Sequence, residues 1–470
     1  MHAMRLHLIN PSNPLVSIVK VRESRWNRYR VWKPLSLMVL AGLTPPEEWD
    51  ISLVDENLGA PDYPAMPRPD LVGITAFTSQ ANRAYEVASH FRRLGVPVVM
   101  GGIHATMCLD EVMERVDSVV TGEAEGIWQQ VLEDARHGSL KRRYDGGLAE
   151  MGNIPPARHD LLAEGYAFGA IQTTRGCPLN CNFCSVTAFN GAHYRQRPIA
   201  DVVREFRLIR EKRVLVVDDN LIGTRPAHIA RAKDLFRAMA QANLRKEWVA
   251  QATINFADDE ELLALAAKAG CGGVFIGFES PTPEGLRELG KKFNLLRGRD
   301  FRASVRRIQR HNILVVGSFI LGLDVDEPGI GKRIAEVGSQ YGVDNLNVLF
   351  LTPLPGTRLW DQMRSQDRIA LGTFPEDWKY YTLTFPVARY KHLSLDDVIE
   401  EMLACGRDFY SMPRILRRVW GNLWGRRQSL ISLVGNLSYR KNLRLNREAY
   451  ADFKRQCGNR RNSAGPQTSS

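Results

Sequence analysis

The chain has 470 residues, 44% hydrophobic and 24% charged, with a formal net charge of +11. These proportions are ordinary for a globular protein, and the length predicts two or three cores rather than one. From Ser411 onward thirteen Lys or Arg stand against Glu448 and Asp452, so the tail holds the net charge and the other 410 residues are nearly neutral. That excludes a uniformly basic nucleic-acid-binding surface. No run of eighteen apolar residues predicts a transmembrane helix, and the start lacks the features of a signal peptide, so a cytoplasmic location is expected.

Residues 1–145 read as alternating strands and helices. Strands are expected at 6–10, 51–54, 71–75, 96–100 and 117–120, and helices at 34–43 and 81–94. This alternation predicts an α/β domain with a doubly wound, Rossmann-like parallel sheet. Ligands of such sheets bind beyond the carboxyl ends of the strands, where Thr75, Ser79, Gly101, Gly102, Thr106 and Gly122 fall. Residues 146–166, with Gly146, Gly147, Gly152, Pro155 and Pro156, read as a linker.

From Ala167 the alternation resumes, with strands expected at 168–172, 213–218, 247–252, 273–278, 313–321 and 345–351. Helices are expected at 199–212, 226–242, 258–269 and 299–311. Six units predict a partial (β/α)6, TIM-like barrel over 167–370, with its chemistry at the carboxyl ends of the strands. Residues 371–458 are expected to form a mostly helical, basic C-terminal region, and 459–470 a disordered tail. In the tail Arg414, Arg417, Arg418, Arg426, Arg427, Arg440, Lys441, Arg444 and Arg447 alternate with Trp420, Trp424, Leu430, Ile431, Leu433 and Val434. This pattern suits a helix packed on the barrel with a basic outer face, or an interfacial helix on an anionic membrane.

Of seven cysteines, three stand within eight positions: Cys177, Cys181 and Cys184. That is the distribution of a metal site in a reducing compartment, not of a disulfide framework. Three thiolates on one loop can hold three irons of a cubane and leave the fourth open. Zinc, with His193 as the nearby imidazole, or three inert thiols are the alternatives.

The pattern Cys-x-x-x-Cys-x-aromatic-Cys, after a strand that opens a barrel, resembles the signature of the radical S-adenosylmethionine (SAM) superfamily. The resemblance implies a [4Fe–4S] cluster on Cys177, Cys181 and Cys184. It further implies SAM on the open iron, and a 5′-deoxyadenosyl radical that takes hydrogen from an unactivated carbon. It implies SAM contacts at Phe183 and, on successive strand ends, at Asp218, Gln251, Glu279, Ser318 and Leu351. An electron donor such as flavodoxin or ferredoxin is implied as a partner.

The doubly wound domain ahead of the barrel resembles the cobalamin (B12)-binding subgroup of that superfamily, through Lys33-Pro34-Leu35, Asp55-Glu56-Asn57, Gly101 to Thr106 and Thr121 to Glu125. This implies cobalamin contacts at Thr75, Ser79, Gly101, Gly102, His104, Gly122 and Glu123. The Asp-x-His-x-x-Gly motif that ligates cobalt elsewhere is absent, so no axial ligand is named. The implied activity is a cobalamin-dependent C-methyltransferase acting on an unactivated carbon of a lipid, pigment or natural product. The alternatives are a radical SAM cyclase, rearrangement or oxidation enzyme without methyl transfer, and a non-catalytic iron–sulfur electron carrier. The substrate is expected to be a small or lipid-like molecule, with no nucleic acid and with peripheral membrane contact through the basic tail. Trp378, Tyr380, Tyr381 and Tyr390 fall in the stretch expected to set specificity.

Overall fold

The computed structural model describes residues 3–13, 15, 33–162, 165–423 and 429–463. Two six-stranded sheets dominate it, and every strand pair within them is parallel. The first holds β1 (Met4–Asn10), β2 (Trp49–Asp55), β3 (Leu71–Thr75), β4 (Val98–Gly101), β5 (Ser118–Thr121) and β6 (Arg143–Asp145). Their order is β2-β1-β3-β4-β5-β6, so the sheet is wound in both directions from β1. Apolar residues make β3 buried from Leu71 to Ile74, as a strand covered on both faces requires. β6 went unpredicted because Arg-Tyr-Asp offers one buried side chain, Tyr144, between two exposed charges.

The second sheet is interrupted in the chain, after its first strand, by a two-stranded hairpin. It holds β7 (Gly169–Ile171), then, after β8 (Thr174–Arg175) and β9 (Arg195–Gln196), β10 (Arg213–Val216) and β11 (Glu247–Ala252). It continues through β12 (Cys271–Glu279), β13 (Leu314–Leu321) and β14 (Asn345–Phe350). Its order runs β14-β13-β12-β11-β10-β7, a sequential wall with two free edges, which is a partial barrel. The crossover helices Pro226–Gln241, Glu260–Lys268, Phe301–Arg310 and Ile330–Tyr341 bury Leu235, Leu263, Ile308 and Ile334 against its outer face.

Three helices end the described chain: Leu395–Phe409, Met412–Leu423 and Ser429–Ser463. Asn436 donates to the carbonyl of Asp344 at 3.0 Å, and Arg418 lies over the Phe409 ring at 3.9 Å. Tyr450 and Phe453 are buried against Phe385. The basic tail is therefore packed on the barrel. Its last helix runs to Ser463, five residues into the stretch expected to be disordered. Trp424, Arg426, Arg427 and residues 464–470 lie outside the described residues.

Candidate functional site

The three cysteines sit in the loop between β8 and β9. Gly176 opens that loop with φ +85°, and a Cβ there would lie 2.1 Å from the His193 carbonyl oxygen, so only glycine fits. The amides of Gly176 and Cys177 are both engaged, the first with Asp219 at 2.8 Å and the second with the Gly191 carbonyl at 3.3 Å. Asn190 also donates to Asp219, at 3.0 Å. On the other side Asn182 donates to the Leu289 and Glu288 carbonyls at 3.4 and 2.9 Å, and Arg358 donates to the Asn180 carbonyl. Loops after β10, β12 and β14 thus hold one short segment in place.

The three thiols influence one another. Burial pushes all three above the ordinary thiol value, that of Cys184 up to about 12, and the charges of its neighbours Cys181 and Cys177 add to the rise. One cation opposes this at all three thiols, Lys291, whose ammonium pairs with Glu279 at 2.8 Å; Arg358 adds to it at Cys181. Burial disfavours charge on Lys291, but Glu279 and the Cys181 and Cys177 thiols outweigh it and keep the amine protonated. Nothing in the spacing of the sequence marked Lys291; the first of two adjacent lysines, twelve residues beyond a strand end, carries no periodic signal.

Among the described residues no three His, Cys, Asp or Glu side chains are gathered tightly enough to hold one metal ion. His193 is exposed, and it is its carbonyl that shapes the loop. Cys271 begins β12, about 25 Å of strand away from Glu279 at its other end. A cubane asks for three thiolates on three separate corners, and one buried and two half-buried thiols on one loop beside one buried ammonium suit it.

The expected SAM residues fall into two groups. Gln251, Phe275 and Val316 share one level of the sheet, and Gly277, Ser318 and Asn347 the next. These inner-face positions are half-buried or, at Gln251, exposed, so the concave side is open to a ligand. Asn347 is the polar member of this row that sequence reading missed. Glu279 reaches the same end with φ +67°, beyond a register shift after Gly277. Phe183 is half-buried against the core. Asp218 and Leu351 do not face that space. Asp218 is wholly buried and accepts from the amide and hydroxyl of Thr173, tying β10 to the end of β7. Burial lifts its carboxyl to about 6 against the opposing Thr173 hydrogen bonds. Leu351 is a buried wall residue whose carbonyl accepts from Tyr390.

In the first domain the expected contacts are mostly engaged within the protein. Glu123 pairs with Arg175 at 2.9 Å and with Arg195, and accepts from the Ala149 amide. Burial alone would raise Glu123, but Arg195 and Arg175 hold it below the usual carboxylate range. His104 is fully buried, its Nε2 2.9 Å from the Tyr85 hydroxyl and its ring edge-on to Trp378. It is not presented to a ligand, in keeping with the missing axial motif. Ser79 accepts from Asn13, and Gly102 and Gly122 pack against Thr75 and Gly147. What remains open is Phe77, 69% exposed between Thr75 and Ser79, together with half-buried Gly101. An aromatic left bare at a strand end suits the flat face of a large macrocycle. Trp378, Tyr380 and Tyr381 are buried packing residues; Trp378 stacks on Phe374 at 3.6 Å and donates to Glu111 at 3.0 Å.

These ties join strand-end loops of one sheet to strand-end loops of the other, so the two ligand-bearing ends meet. The family model described as B12 binding domain matches residues 27–132, and that of the radical SAM superfamily matches 171–328. The chain is 29% identical over 401 residues to the bacteriochlorophyllide d C-12(1)-methyltransferase of Chlorobaculum tepidum, covering 83% of this chain and 85% of that one. It is 27% identical over 346 residues to the hopanoid C-2 methylase of Rhodopseudomonas palustris, covering 72% of this chain and 65% of the other. Its fold matches that of the radical SAM methyltransferase TsrM from Kitasatospora setae, with a TM-score of 0.66 at 19% identity over 95% of this chain and 100% of that one. With both models matched in this order, the chain carries a B12-binding domain followed by a radical SAM domain.

Proposed function

We propose that the protein is a cobalamin-dependent radical SAM enzyme that transfers a methyl group to an unactivated carbon of a hydrophobic, ring-containing pigment or lipid. The observation that carries this reading is the trio of cysteines beside Lys291, on a loop that Arg175 ties to the B12-binding domain. The methylated pigments and hopanoids named for its relatives support the substrate class.

Cys177, Cys181 and Cys184 would hold the [4Fe–4S] cluster, which when bound supplies one electron to cleave the sulfonium of SAM. Cobalamin, when bound, supplies the methyl group. Lys291 offsets the negative charge of three thiolates in a site where burial alone would keep them protonated. Gln251, Ser318 and Asn347 offer polar groups on the open inner face, and Glu279 offers a carboxylate to ribose hydroxyls. Gly101 and Phe77 are available to the corrin. The Glu123–Arg175 and Glu111–Trp378 ties keep the two domains together and water out.

A flavodoxin- or ferredoxin-type protein would deliver the electron. Among the described residues no helix is long and apolar enough to cross a membrane. Exposed Leu416, Leu437 and Leu445 beside Arg417, Lys441 and Arg444 support peripheral contact of the tail with an anionic bilayer. The deciding experiment is anaerobic turnover of cluster-reconstituted, cobalamin-loaded protein with ring-containing pigments and polycyclic lipids. Methyl transfer yields S-adenosylhomocysteine together with 5′-deoxyadenosine. Deoxyadenosine alone would replace methyl transfer with rearrangement or oxidation.

A further inference from the structure

A groove of about 520 Å³ on the flank of the barrel is lined by Arg299, Arg302, Arg306, Arg307 and Arg310. Two of these are held: Arg299 forks onto Asp258 at 2.5 and 2.7 Å, and Arg307 reaches the same carboxylate at 4.0 Å. Asp300 caps the helix Phe301–Arg310 through the Ala303 amide. Arg302, Arg306 and Arg310 recur every four residues on that helix, are exposed, and have no ion-pair partner among the described residues. Like charges at this spacing destabilise a helix, so the row does nothing for the element that bears it.

Its position is informative. The Leu289 and Glu288 carbonyls accept from Asn182 in the cysteine loop; two residues on, Lys291 acts on all three thiols; by Arg299 the chain is lining the groove. One unbroken segment therefore leads from the cysteines to the arginines. The mouth of the barrel, by contrast, meets the first domain through Glu123–Arg175 and Glu111–Trp378.

We propose that Arg302, Arg306 and Arg310, with Arg299 and Arg307 behind them, are the docking surface for an acidic, low-potential electron-donor protein of the flavodoxin class. The proposal rests on the radical SAM reading above, which requires an electron at the cysteines. The docked donor is oxidised by one electron and the cysteine-held centre is reduced by one, with no covalent bond made or broken. A concave basic patch steers an acidic protein and fixes its orientation. The groove has no large apolar residue to enter a bilayer and no aromatic ring to stack a base.

The test uses the full-length, cluster-reconstituted enzyme, a purified acidic flavodoxin and the charge-reversed variant R302E/R306E/R310E. Calorimetry should show binding by the native enzyme that weakens with salt, and a Kd raised at least about tenfold in the variant. Arg302→Lys, Arg306→Lys and Arg310→Lys together should keep the affinity within about threefold. Deoxyadenosine formation driven by reduced flavodoxin should fall with the affinity, while formation driven by dithionite stays at the native level. An unchanged Kd in the charge-reversed variant overturns the proposal. So does a variant that loses binding to phosphatidylglycerol vesicles or to an oligonucleotide while keeping flavodoxin. If the native enzyme forms no deoxyadenosine even with dithionite, the radical SAM reading falls, and the Kd comparison still decides the docking surface.

Discussion

Glu123 and Arg175 form a buried ion pair 2.9 Å long between the last loops of one sheet and the hairpin that opens the other. Arg175 stands two residues ahead of Cys177, so the B12-binding domain holds the approach to the cysteine loop. Glu123→Gln should cost about 3 kcal/mol in urea unfolding, because Arg195 and Arg175 lose a buried countercharge. It should also make the enzyme more sensitive to proteolysis between residues 140 and 166. A loss below about 0.5 kcal/mol would reduce the pair to a surface contact.

The same pair sets a pH limit. The folded-state value of Glu123 lies below its ordinary value of 4.5, so its contribution is complete above that value. It fades as pH falls through the depressed folded value. Urea midpoints measured from pH 7 to pH 3 should be flat at first and then drop, and the drop should be shallower for Glu123→Gln. Parallel curves for the two proteins would contradict this.

Alanine at Cys177, Cys181 or Cys184 should abolish iron retention after anaerobic reconstitution. Cys271→Ala and Cys405→Ala, at buried thiols far from the loop, should keep close to the native iron count. Iron lost equally from all five variants would mean that unfolding, not ligation, is being read.

Lys291→Met should lower stability by about 3–5 kcal/mol, since Glu279 is left charged and unpaired in a buried site. The double variant Lys291→Met/Glu279→Met should recover much of that stability, because no lone charge remains. It should not recover iron affinity, because the thiolates still lack their cation. Recovery of both together would limit Lys291 to a structural part.

Gly176→Ala changes no ligand, yet should release iron: its Cβ meets the His193 carbonyl oxygen, and its φ is positive. Gly138→Ala is the control. It has φ +65° but nothing within 4 Å, so it should cost only the left-handed strain of about 1–2 kcal/mol and leave the iron in place. Equal iron contents in the two variants would show that the loop gives way freely.

The architecture was legible because strands write their burial into their residues: β3 as a buried apolar run and β11 as an alternation of buried with more exposed positions, and both fall where the residues put them, to the residue. The cysteine loop was legible because its chemistry is local. What escaped is non-local. Asp218 looked like a strand-end ligand, and only the tertiary structure shows Thr173 already on it. Glu123 and His104 looked open, and their partners Arg175, Arg195 and Trp378 lie 52 to 274 positions further along the chain. Lys291 and Asn347 matter through register and packing, which a spacing pattern does not record.

The ties between the sheets also have a timetable. The first domain is synthesised before the later partners of Glu123 and Glu111 exist. Arg175 follows Glu123 by 52 residues and Arg195 by 72, whereas Trp378 follows Glu111 by 267. At roughly 5–20 residues per second, the first tie forms within about ten seconds and the last within about a minute. During that interval the strand-end face around Phe77 is open to a bulky guest. Once both ties have formed, the strand-end faces of the two sheets are held together, so a guest taken up during synthesis meets the barrel already seated on the first domain.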